Sequence, residues 1–235
     1  RQLVSDLRDL QDRKRPVLHI GVSPWRGSTL LPDILPRFEE QYPDVQVVLH
    51  EAPVPELGAL AEANVIDFCV MQPPGDLTEL TYEPVMREHI FLVGHRDHPL
   101  LRGLYSTYQD PRPFPDLRLL EHERIIMLPA DWRLSRLLYN TFSVHSVEPQ
   151  NILVTTNTTT AINLAAEKLG FAFLQESGIP RTPYLDRLAC FTVGEPPLTC
   201  PLAVVYKKNG FLSPAARAFI DLVRDFYSRY DRGTE

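Results

Sequence analysis

The 235 residues predict an α/β protein of two Rossmann-like lobes, with a ligand cleft between them and a two-strand hinge joining them. Three observations carry that expectation. Strand and helix patterns alternate over the first 95 residues; the alternation restarts after a Pro-rich stretch at 100–123; and a last apolar strand with an amphipathic helix, at 202–230, returns the chain to the first lobe. Lobe I is expected over 16–95 and 200–232, and lobe II over 96–199. Each is large enough to bury its own core. With 44% apolar and 23% charged residues, the composition is that of a folded globular chain.

At the start, Leu3, Leu7 and Leu10 form one apolar stripe on a helix over 1–15, which Pro16 ends. Val17 to Ser23 alternates as a strand. The following helix repeats Leu30, Ile34 and Phe38 at intervals of four, and its interior Pro32 and Pro36 predict an irregular first turn or a kink. Val45, Val47, Leu49 and Glu51 make a second strand, a short helix surrounds Leu57 to Ala63, and Asp67 to Met71 is a buried strand. This βαβαβ order requires parallel strands with helices on both faces. Ile90 to Gly94 is a further buried strand, broken at His95 to Pro99, where the first lobe is expected to end.

In the second lobe the strands are Arg124 to Leu128, Ile152 to Thr156, Phe171 to Leu174 and Leu188 to Val193. Helices lie at Leu134 to Phe142 and at Thr159 to Leu169, the latter capped by Gly170. Leu202 to Tyr206 is the returning strand. Ser213 and Pro214 then occupy the favoured cap and first-turn positions of a final helix.

Trp25-Arg26-Gly27-Ser28-Thr29-Leu30-Leu31 and Trp132-Arg133-Leu134-Ser135-Arg136-Leu137-Leu138 share the pattern W-R-x-S-x-L-L, each between a strand and a helix. A strand that ends at a helix N-terminus presents unpaired backbone N–H groups, and the helix dipole favours an anion there. Ligands of open α/β sheets bind at such carboxyl ends. Trp25, Arg26 and Ser28 in one lobe, with Trp132, Arg133 and Ser135 in the other, are therefore candidates for an organic anion. Gln72, Pro129, Ala130, Thr156 and Asn157 join them as residues at other strand ends. The competing roles are local: helix caps for the hydroxyls, packing for the tryptophans, and turn chemistry for the rest.

The net charge of −6 argues against this segment gripping a phosphate backbone, although 20 of its 24 basic residues are Arg, the better fork for a carboxylate. Three cysteines without a CxxC suggest a reducing, cytoplasmic setting, and no apolar run is long enough for a membrane span. No phosphate loop, GxGxxG, GxSxG or HExxH is present, so an enzyme is the weakest reading. The runs His95-Arg96-Asp97-His98 and Glu121-His122-Glu123 lack structural zinc spacing, and neither a metal nor a cofactor is expected.

Leu30-Leu31-Pro32, Leu35, Phe38 and Tyr42-Pro43-Asp44-Val45 resemble the opening of a LysR-type effector-binding domain. Asp67, His98-Pro99-Leu100 and Gly170-Phe171-Ala172-Phe173-Leu174 match later landmarks in order. The resemblance covers residues 1 to about 230. It implies a fold like the type II periplasmic binding proteins, a homodimer or tetramer, and a small-molecule effector at cleft positions that run from Ser23 to Thr29, so adding Ser23 and Thr29 to the candidates, and that include Gln72, Pro129 to Asp131 and the Thr156 to Thr158 turn. DNA would be contacted only by a winged helix-turn-helix upstream, residues 1–15 being the end of its linker helix. The chain begins without Met, as such a fragment would. Many members carry Pro where Gln175 stands, so the turn there departs from the pattern. A solute-binding protein of a transport system shares the architecture and is the alternative, which an export signal would favour.

Overall fold

The computed structural model describes residues 15–73, 75 and 79–230. The helix expected over 1–15 lies outside the described residues, Arg15 excepted. In chain order the first elements are β1 (Val17–Val22), α1 (Pro24–Gln41), β2 (Gln46–Glu51), α2 (Val54–Glu62), β3 (Phe68–Met71) and β4 (Leu80–His95). There follow β5 (Arg112–Pro113), β6 (Arg124–Met127), α3 (Arg133–Val144), β7 (Asn151–Val154), α4 (Thr158–Ala166), β8 (Phe171–Gln175), β9 (Leu188–Thr192), β10 (Thr199–Lys207) and α5 (Pro214–Ser228).

The chain forms two compact units, one of 1–86 with 201–235 and one of 87–200. It leaves the first unit inside β4 and returns inside β10. The expected first boundary at 95 is therefore displaced. An apolar run ends at His95, but β4 starts at Leu80 with a half-exposed segment whose alternation is masked by Glu83, Pro84 and Arg87.

In the first unit the strand order is β2-β1-β3-β10. β1 is parallel to β2 and β3, as the βαβαβ order requires, and β10 is antiparallel to β3. One face carries Leu18, Ile20, Val22, Phe68, Val70 and Val204 against Leu30, Ile34 and Phe38 of α1 and Phe219, Val223 and Phe226 of α5. The other sets Cys69, Met71 and Val205 against Leu57 and Ala61 of α2. Covering both faces is what makes parallel strands apolar almost throughout. α1 runs unbroken through Pro32 and Pro36 because both are exposed, leaving water to serve the carbonyls that lose an N–H.

Glu83 on β4 ties this unit to α5. It accepts from Tyr206 at 2.6 Å and Arg217 at 2.5 Å, and from Arg224. Burial pushes its carboxyl up, but the three hydrogen bonds and the Arg217 charge outweigh that and hold it at about 2.

In the second unit β6 is parallel to β7 and β8, and β4 is antiparallel to β8 and β9. Leu92, Ile125, Met127 and Phe173 pack on Leu134, Leu138 and Phe142 of α3. On the opposite face Phe91, Ile126, Ala172 and Leu174 meet Ala161, Ile162 and Ala165 of α4. Gly170 is not the cap of α4. The left-handed residue after that helix is Lys168, at φ 66°, and Gly170 at φ 147° serves a different need. An added Cβ there would overlap the Arg124 carbonyl oxygen, so Gly170 is what lets β8 enter beside β6.

The cysteines Cys69, Cys190 and Cys200 are buried and outside any disulfide, and burial pushes the Cys69 thiol up to about 12. Among the described residues no helix is long and apolar enough to cross a membrane, and no group of three or more His, Cys, Asp and Glu could hold a metal.

Gly170→Ala should lower the unfolding free energy by about 2 kcal/mol in urea titrations, because backbone conformation and backbone contact both oppose the methyl group. Glu83 is depressed in the folded state, so its contribution is fully present above about pH 5 and lost as the pH falls toward 2. Melts recorded across that window should flatten in Glu83→Gln; an unchanged slope would show that the clamp does not titrate.

Candidate functional site

Parallel strands align their carboxyl ends, and that alignment builds one edge in each unit. In the first, Val22 of β1 lies beside Glu51 of β2 and Val70 of β3. Ser23 and Gln72 therefore emerge at the same edge, Gln72 buried and Ser23 half-buried. Ser23 is the N-cap of α1, its hydroxyl accepting from the Arg26 amide at 3.3 Å and its carbonyl from the Gly27 amide at 2.8 Å. Pro24 has no N–H. The first turn thus offers one amide without a partner, that of Trp25, where the sequence led us to expect several.

Trp25 is half-buried, yet its indole Nε1 is buried without a hydrogen-bond partner. Leaving such a donor unsatisfied costs about 1–3 kcal/mol. Among the described residues only one other buried side-chain polar atom shares that condition, Oδ1 of Asn163 on α4.

Three neighbours of Trp25 that are also candidate contacts have hydrogen-bond partners within the chain. Arg26 is buried, donates to the Tyr227 hydroxyl at 2.7 Å and lies 5.7 Å from that ring's centroid. It anchors α1 to α5. Thr29 is buried with its hydroxyl on the Arg26 carbonyl at 3.2 Å. Ser28 is exposed and donates to the Trp25 carbonyl at 2.8 Å. It faces a groove of about 380 Å³ along α1 whose charged lining is Glu39 and Glu51, a setting that repels an anion.

In the second unit β6 lies parallel between β7 and β8, and the Thr155 amide donates to the Met127 carbonyl at 3.0 Å. The segments Pro129–Ala130 and Thr156–Asn157 leave from this shared edge. Ala130, Thr156 and Asn157 are exposed and Pro129 is half-buried. Asn157 is the N-cap of α4, accepting from the Thr160 amide at 3.1 Å. Arg133 is exposed as the first residue of α3, while Trp132, its N-cap residue, packs on the core.

The two W-R-x-S-x-L-L segments are thus not structural equivalents. One residue, Ser23, separates β1 from α1, which puts Trp25 inside the helix; five residues separate β6 from α3, which leaves Trp132 outside it. Their arginines have opposite burial. Their serines differ as well, since Ser135 is fully buried and donates to the Leu128 carbonyl at 2.8 Å.

Sequence reasoning missed a polar cluster at the end of β8. The register Ile90↔Gln175 brings Glu88 and His89 of β4 beside the buried Glu176 and Ser177. The Ser177 hydroxyl donates to Glu88 Oε1 at 2.5 Å, and His89 Nδ1 lies 3.1 Å from Glu176 Oε2. The available signal was an acid and a histidine entering the apolar run Ile90 to Gly94, together with Gln175 at the variant turn.

A larger groove, about 500 Å³, lies at the opposite edge of this sheet between His95 of β4 and the end of α4. Four of its charged side chains are paired, with Lys168 3.7 Å from Asp97 and Arg187 2.7 Å from Glu167. A ligand there would have to break existing pairs, so size alone does not make it the site.

Two α/β units with polar residues gathered at the carboxyl edges of parallel strands define the class of two-unit ligand-binding domains. The family model described as "LysR substrate binding domain" matches residues 11–228, and this chain belongs to that family. Among solved structures it is similar to the BenM effector-binding domain with its effector benzoate, at 19% identity and a TM-score of 0.74, covering 94% of this chain and 96% of that one. The effector-binding domain of QuiR in complex with shikimate gives 15% and 0.71, covering 92% and 99%. The CcmR regulatory domain of Synechocystis PCC6803 in complex with 2-PG gives 20% and 0.72, covering 89% and 96%. Among curated relatives, the regulator GalR of Pseudomonas putida is 36% identical over 103 residues, 43% of this chain and 26% of that protein. The regulator YvbU of Bacillus subtilis is 22% identical over 89% of this chain and 67% of its own length. The chain therefore spans only part of the regulators it matches.

Because Arg26 is buried against the Tyr227 hydroxyl, Tyr227→Phe should lower stability by about 1.5–3 kcal/mol in denaturant melts. A loss under about 0.5 kcal/mol would mean that the bond does not anchor α1.

Proposed function

We propose that the chain is the effector sensor of a LysR-type transcriptional regulator, taking a small organic anion through residues of both carboxyl edges and relaying its presence to a DNA-binding segment elsewhere in the longer protein. One observation carries this reading. The candidate contact residues Ser23, Trp25 and Gln72 in one unit, and Pro129, Ala130, Arg133, Thr156 and Asn157 in the other, all leave the carboxyl edges of parallel strands, where open α/β sheets take their ligands. Trp132, half-buried against the core beside Arg133, joins them as a candidate to stack on the effector. The chain crosses between its units twice, each time inside a strand, a connection suited to hinge motion.

Benzoate and shikimate, the molecules named with BenM and QuiR, are carboxylates, which supports an anion here. The net charge of −6 supports placing DNA contact outside this segment. A cytoplasmic homodimer or tetramer completes the reading. The family match weighs against a transport solute-binding protein, and no turnover of the effector is part of the proposal.

A thermal-shift series with benzoate, shikimate, 2-PG and further carboxylates tests it, since a ligand at 100 times its Kd stabilises the native state by about 2.7 kcal/mol. Arg133→Ala should weaken the best carboxylate by about tenfold, about 1.4 kcal/mol. Stabilisation by inorganic ions alone would overturn the organic-anion reading.

A further inference from the structure

We infer that Trp25 determines effector specificity, donating its indole N–H to an oxygen acceptor of the effector, a carboxylate or a carbonyl. The inference rests on the effector-sensing reading above and names the donor within it. Two independent observations meet at this residue. The Nε1 atom is buried and has no partner, in a chain where such side-chain atoms are rare among the described residues. The Trp25 backbone amide is also the one N–H left unpaired in the first turn of α1, because Pro24 has none and Ser23 serves Arg26 and Gly27.

Hydrogen bonds hold the backbone that carries the indole. Ser28 holds the Trp25 carbonyl, and Arg26, the next residue, is locked to Tyr227. A donor held by its neighbours discriminates between ligands, because an effector that lacks an acceptor leaves the N–H buried and unpaired, whereas one that supplies it completes the bond. The class so selected is a small molecule that presents an oxygen acceptor. A hydrocarbon or an amine of the same shape is rejected.

Two measurements on the intact chain separate this inference from the reading beneath it. In the ¹⁵N-labelled protein two indole N–H resonances are expected, one for each tryptophan, and comparison with Trp25→Phe assigns them. Titration with benzoate, shikimate and 2-PG should move the Trp25 resonance downfield with at least one of them. Trp25→Phe keeps an aromatic ring and removes the donor, and should weaken that probe about tenfold or more while Trp132→Phe retains the wild-type pattern at the Trp25 resonance. If a probe stabilises the wild type but leaves the Trp25 resonance in place, or binds Trp25→Phe with equal affinity, the donor role is overturned and the sensor reading stands. If no probe stabilises or shifts the wild type, both fall. Should Trp25→Phe fail to fold, the wild-type titration alone decides.

Discussion

A parallel strand must be followed by a crossover, and every crossover carries the chain back to the end of the sheet where the strands begin. This constraint orders the rest of the structure. Because β1, β2 and β3 run together in one unit, and β6, β7 and β8 in the other, the loops that follow them leave from one edge of each sheet. Polar residues distant in sequence, such as Ser23 and Gln72, or Pro129 and Asn157, become neighbours of a common edge with no interaction needed between them. The same constraint makes both faces of each sheet apolar, so polarity is confined to the edges.

The edges differ in how their polar groups are used. In the first unit most donors are already satisfied: Ser23 caps α1, Arg26 joins α5, and Thr29 and Ser28 bond back to their own helix. What remains is concentrated on Trp25. In the second unit the side chains beyond β6 and β7 are exposed, but those beyond β8 form a closed cluster of Glu88, His89, Glu176 and Ser177. A strand-end polar residue is therefore as often part of the scaffold as part of the site, and burial together with bonding partners tells the two apart.

Much of the fold was legible in the sequence because local pattern and global topology agree. Leu30, Ile34 and Phe38 announced α1, and Ser213 with Pro214 announced α5, since capping chemistry and helical period act over a few residues. β4 was only half legible. Its first part is exposed on alternate positions and contains a proline, so the apolar run that marks its second part also misplaced the boundary between the units. Gly170 was recognised as special but for the wrong reason. A glycine after a helix suggests a cap, and only the approach of β8 to the Arg124 carbonyl reveals what the missing Cβ is for.

By itself the sequence determined the alternation of elements, the strand ends where polar residues cluster and the family landmarks, all of which are written in spacings of two to four residues. Tertiary structure alone decided which of those residues are exposed. Arg26 and Arg133 occupy the same place in a repeated heptapeptide, yet one is buried beneath α5 and the other stands on the surface. The physical reason is the length of chain between strand and helix, one residue against five, which rotates one copy of the motif into its helix and leaves the other to begin it.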